Sequence, residues 1–171
     1  MVRIIISLLF VVTGFMSCKC DIDGFSFSRR NYTGNSMRTD GYYYNFSVDS
    51  QGDTVYQYKI FYINGVCINQ GTRNINELEA SFVNGSFLNN LNNKRYSWGI
   101  YSVQADSIMQ VQYWFPRYGC KDGATVLSSL WKIDNDTTLK LVSGSNTIRD
   151  NDKLIFRQFS PKPDSTNSFI R

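Results

Sequence analysis

The chain is predicted to be all-β, an antiparallel meander of about eight strands that closes as an up-and-down barrel or stacks as a β-sandwich. From Gly41 onward, apolar residues recur at every second position in run after run, the spacing of strands with one buried face. Clusters of Gly, Asn, Asp and Pro separate the runs and supply turns. Residues 71–97 alone break the rhythm at length. Sequential strands in such number must close or stack, because open edges invite aggregation.

Tyr42, Tyr44, Phe46 and Val48 share one face of the first strand, and SQGD at 50–53 turns the chain. Tyr56, Tyr58, Ile60 and Tyr62 share a face of the second, and Asn64-Gly65 is a tight-hairpin signal leading to Val66 and Ile68. The excursion at 71–97 contains INELEASF, a candidate short helix, and the Asn-rich VNGSFLNNLNNKR, and is expected as a lid. Strand rhythm resumes from Trp98 to Gln104, with a turn at Ala105 and Asp106. Met109, Val111, Tyr113 and Phe115 then share a face, and PRYGCKDG forms a loop. Leu127, Trp131 and Ile133 follow; DND turns the chain into Leu139 and Leu141, and KLIFRQF is the last strand.

The N-terminus has the layout of a signal peptide: one basic residue, Arg3, an apolar stretch from Ile4 to Val12, then small residues at Thr13, Gly14 and Ser17. The apolar stretch is shorter than the about 20 residues a spanning helix needs. Phe15, Ser17 and Cys18 resemble the lipobox of bacterial lipoproteins, in which the cysteine after the cut carries a thioether-linked diacylglycerol. Ordinary signal peptidase wants a small side chain where Phe15 stands. The resemblance covers about 20 residues. It implies acylation of Cys18 and, with two palmitate-like chains, stable anchoring to a membrane. Four expected segments follow: a signal peptide at 1–17, a lipidated N-terminus with a tether and lead-in at 18–40, a barrel-like domain at 41–160, and a flexible tail at 161–171.

Aromatics at 15%, hydrophobics at 42% and charged residues at 19% fit an exported globular domain and exclude disorder. Net charge is +4, falling to +3 (17 basic against 14 acidic) once Arg3 is removed. Without a basic run, no nucleic-acid partner is expected. With Cys18 acylated, Cys20, Cys67 and Cys120 remain; Cys67 with Cys120 is the candidate disulfide, and Cys20 with either partner competes.

The chain has no histidine. That removes the serine triad, the cysteine-histidine dyad and zinc-protease helices. Glu77 and Glu79 in NINELEAS read as a solvated surface turn rather than a catalytic carboxylate pair. Ser129 and Lys132 have SxxK spacing, but TVLSSLWKI reads as a strand and the motif belongs at a helix start. No enzyme, no metal and no cofactor is therefore expected.

The run from WGIYSV through DSIMQVQYW and WKIDNDTTLKL to PKPDSTN resembles small lipocalin-like lipoproteins of Gram-negative bacteria, by rhythm over roughly residues 41–167. It departs from true lipocalins in that Trp98-Gly99 falls mid-chain, whereas their GxW signature lies on the first strand. The resemblance implies a calycin-type barrel with a cavity for a small apolar ligand, for which Tyr56, Tyr58, Tyr62, Tyr113 and Trp131 are candidate lining residues; aromatics at strand spacing also serve as core.

Four Asp-Ser/Thr triplets begin at Asp53, Asp106, Asp136 and Asp164, where composition gives about one by chance. They resemble the O-glycan acceptor motif of one group of Gram-negative bacteria, making Thr54, Ser107, Thr137 and Ser165 candidate acceptors. Asp with Ser or Thr also favours turns. The expectation is a lipid-anchored envelope lipoprotein, on the outer membrane of a Gram-negative bacterium, with a non-enzymatic binding or scaffolding role. Its expected partners are the membrane, a small apolar ligand or lipid, and envelope proteins. A structural subunit of an envelope complex is the alternative, followed by a carboxylate hydrolase.

Overall fold

The computed structural model describes residues 21–91, 94–104, 107–119, 123–144 and 153–170. Eight strands are connected in sequence: β1 (Gly41–Val48), β2 (Thr54–Phe61), β3 (Val66–Thr72), β4 (Trp98–Gln104), β5 (Ile108–Pro116), β6 (Ala124–Asn135), β7 (Thr138–Gly144) and β8 (Lys153–Gln158). Helices α1 (Ile75–Val83) and α2 (Ser86–Leu91) and a 3₁₀ turn at Arg95–Ser97 lie between β3 and β4. Every strand pairs antiparallel with the next, and β8 pairs with β1, so the sheet is a closed barrel. The predicted meander and its closure are thus present, and closure removes both sheet edges.

Register separates two cores. Tyr43, Phe61, Cys67, Tyr101, Met109, Val111, Trp131, Ile133, Leu139 and Leu154, drawn from all eight strands, form one buried cluster, which only the lumen can hold. Tyr42, Tyr58, Ile60, Ile68 and Trp98 have the opposite parity and cluster with Leu78 and Phe82 of α1 and Phe87 and Leu91 of α2. The β1–β4 wall is therefore buried on both faces.

The excursion expected as a lid instead packs on this outer wall. Asn74 caps α1, its side chain accepting hydrogen bonds from the backbone of Asn76 and Glu77. Glu79, expected in a solvated turn, fixes the helix to the barrel: Tyr42 Oη donates to its Oε1 at 2.7 Å, and Arg157 pairs with it at 2.8 Å. Phe82 and Phe87 meet edge to face at 4.6 Å. Four apolar side chains on a short excursion leave it no other place to bury them.

Both flanking segments also pack on the barrel. Residues 32–38 cross one end, from the β2–β3 turn, where Tyr32 N–H donates to the Ile63 carbonyl, to the β6–β7 turn, where Arg38 N–H donates to the Asp136 carbonyl. Met37, buried in the lumen cluster, and Tyr32 close that end. The tail expected to be flexible inserts Phe169 and Ile170 against the outer core, and Lys162 Nζ donates to the backbone carbonyls of Thr39 and Phe61. Gly65 has φ of +79°, the left-handed turn geometry that Asn-Gly hairpins favour, and a Cβ there would meet the Arg30 carbonyl.

Candidate functional site

Inward-facing residues divide by height. Near the capped end they are large and buried: Tyr43, Phe61, Tyr101, Met109, Ile133, Leu139 and Leu154 are each at most 7% exposed. Toward the other end, small or polar side chains take over the same parity, among them Asn45, Ser47, Asn69, Gly71, Thr125 and Ser129. Gln57, in mid-strand and facing inward, is exposed; Asn69, Tyr113, Leu127, Ser129 and Leu141 are half-buried. An eight-stranded barrel is just wide enough to be filled by side chains or to hold one small ligand. Here the capped half is filled, and toward the other end, termed the cup, the described inward-facing residues keep partial exposure.

Lys59 sits where floor meets cup. Register places it between Tyr43 of β1 and Asn69 of β3, and it is 8% exposed. Its Nζ donates to Asn69 Oδ1 and lies 5.2 Å from the centre of the Tyr113 ring and 5.7 Å from that of Trp131. Both distances are in the cation-π range. The Trp131 indole is itself oriented by a 2.8 Å hydrogen bond to Ser129 Oγ. Strand register gives Lys59 no inward-facing carboxylate among the described residues, and no ion pair involves it. Burial consequently lowers its pKa to about 8.

Gly99 makes room for this arrangement. It is the register partner of Tyr113, and a Cβ there would clash with the Gln112 carbonyl and lie 2.8 Å from Tyr113 Cβ. The Trp-Gly pair noted in the sequence is therefore a packing device: Trp98 fills the outer core and Gly99 clears the lumen.

Of the five candidate lining residues, Tyr113 and Trp131 lie in the lumen and both contact Lys59. Tyr58 and Tyr62 belong to the outer core, and Tyr56 stacks near Tyr44 and Phe46 on the same outer wall. The structure thus brings two of the five together. Lys59 and Asn69 are the lumen residues that sequence reasoning missed. The available signal is that Lys59 shares strand parity with Phe61, a large apolar residue, two positions on.

Cys67 is fully buried in the lumen beside Lys59, and burial pushes its thiol pKa up to about 12. Its candidate partner Cys120, together with Cys18 and Cys20, lies outside the described residues. Ser129 and Lys132 alternate on β6 and so face opposite sides of the sheet, a geometry that keeps the hydroxyl and amine apart. Among the glycan-acceptor candidates, Ser107 is exposed and Thr54, Thr137 and Ser165 are half-buried. Thr137 Oγ1 donates to Asn135 Oδ1 at 2.9 Å, within the β6–β7 turn, and Ser165 Oγ accepts from Asn64 Nδ2 at 3.0 Å, tying the tail to the β2–β3 turn.

No family model, no curated protein and no solved structure matches the chain. The site has to be read from its own chemistry. A cup with an apolar, aromatic floor and one buried amine can hold a small molecule by its body and fix one polar end. Among the described residues there is no group of three or more Cys, Asp or Glu placed to hold a metal ion.

Proposed function

We propose that the protein is a lipid-anchored envelope lipoprotein that binds a small ligand with an apolar body in the barrel lumen, and that it is not an enzyme. The observation that carries the binding reading is the exposure of inward-facing residues above a filled floor, with Gln57 exposed and Asn69, Tyr113, Leu127 and Ser129 half-buried. An interior built only for stability would be packed to crystal-like density along its length. The anchor reading rests on Phe15, Ser17 and Cys18 and on the short apolar stretch before them. It places the cup at a membrane surface, on the outer membrane of a Gram-negative bacterium, where lipids and other amphiphiles are at hand.

Native mass spectrometry of residues 21–171, purified from the exporting host's envelope, tests binding: a specific added mass that disappears on denaturation is expected. Fatty-acid labelling of cells tests the anchor, and label that persists in Cys18→Ala would sink it.

A second reading is supported by a separate feature. On the outer wall of β4 and β5, Phe25, Phe27, Ile100, Trp114, Phe169 and Ile170, with Ser28 and Arg29 beside them, line a concavity of about 470 Å³. A largely aromatic surface with a basic edge suits a partner protein in an envelope assembly, and co-purification of a stoichiometric partner with an empty lumen would favour that role.

A further inference from the structure

We propose that the lumen selects amphiphiles bearing a single carboxylate, and that this carboxylate binds the Lys59 ammonium. The inference rests on the carrier reading and adds the chemical class of its ligand.

Charge on the inward face of the barrel is unbalanced. Lys59 is more than nine-tenths buried and is the one charged side chain on the inward parity of the described strand residues: Arg157, Lys132, Lys140, Lys153 and Asp134 all have the outward parity. A buried cation with no counter-ion among the described residues is costly, and two aromatic faces and one amide oxygen compensate it only in part. An ammonium has three N–H donors, and the protein bond to Asn69 Oδ1 uses one. A carboxylate has two oxygens to receive the others, and it supplies the missing charge. Polar groups flank the amine: the Asn69 amide and, across the lumen, the Tyr113 hydroxyl. A dianionic headgroup fits less well, because no second inward cation is present among the described residues to balance it. The ligand's body has an apolar bed in Trp131, Leu127 and Leu141, which share the inward face of β6 and β7.

The test titrates purified residues 21–171 with oleate and, separately, with oleyl alcohol, which has the same chain and no charge; quenching of tryptophan emission reports binding. Oleate is expected to bind at least about tenfold more tightly than the alcohol. In Lys59→Met that preference is expected to vanish while the alcohol still binds. Should the variant misfold, the wild type alone carries the test through pH. The titratable groups around Lys59 are Cys67 on β3, Tyr43 on β1 and Tyr113 on β5, and burial moves all three upward, Cys67 to about 12. Lys59 is then the group that loses its charge as pH rises past about 8. Oleate affinity should fall there, and alcohol affinity should stay level. Equal binding of acid and alcohol, or a preference that survives Lys59→Met, overturns the carboxylate inference and leaves the carrier reading standing. Failure of the wild type to bind either compound overturns both.

Discussion

Lys59 shows how one residue's position on a strand can reverse its usual role. In VYQYKIFY the tyrosines occupy one parity and Lys59 the other, and lysine is seldom buried unless paired. Read from the sequence, the tyrosine face is the obvious lining of a cavity. The structure places Tyr56 and Tyr58 outside and Lys59 within, because the outer wall is itself covered by helices and tail. Burial lowers the lysine's folded pKa from 10.5 to about 8, so between those values the unfolded chain holds more protons than the folded one and this residue's contribution to stability improves as pH rises. At pH 7 Lys59→Met should therefore be more stable than the wild type, by on the order of 3 kcal/mol. The gap should close between pH 8 and 10.5. Urea titrations of both proteins across that range measure it. Cys67, equally buried, offered its own sequence signal as a small apolar residue between Val66 and Ile68, and its burial needs no disulfide to explain it.

At the scale of elements, α1 was legible as a helix and illegible as to place. Asn74, Glu77 and the apolar spacing of Leu78 and Phe82 mark a capped amphipathic helix. The target of its apolar face depends on which side of β1–β3 lacks a cover, and strands with apolar residues at both parities do not reveal that. The two contributions should separate by size. Asn74→Ala loses a cap and should cost about 1 kcal/mol. Phe82→Ala removes a ring that touches Tyr42, Phe87 and Phe159, and should cost about 3–5 kcal/mol. Guanidinium unfolding of each variant gives both numbers, and equal costs would mean that α1 contributes little to the outer core. The glycine on β4 belongs to the same scale: Gly99→Ala should destabilise by about 1–3 kcal/mol, because the new methyl meets backbone rather than a movable side chain.

At the scale of the whole molecule, a barrel capped at one end is finished by chain lying outside its strands. The segment at 32–38 closes the end beneath Tyr43 and Tyr101, and the tail holds Thr39, just after that segment, and β2 through Lys162. Removing residues 161–171 should lower the melting temperature by roughly 5–10 °C, through loss of Phe169, Ile170 and the Lys162 bonds. Calorimetry checks this, and an unchanged transition would show the tail to be an ornament of the fold. By itself the sequence determined the strand count, the order of pairing and the antiparallel meander. Period-two spacing and turn chemistry are local properties, and where turns are short, as between β1 and β2 or β2 and β3, consecutive strands have little choice of neighbour. Only the tertiary structure decided which parity faced the lumen, where the excursion and tail packed, and that Lys59 met Tyr113 and Trp131. These depend on closure: the contact of β8 with β1 gives every strand an inside and an outside, and alternation along one strand carries no mark of which is which.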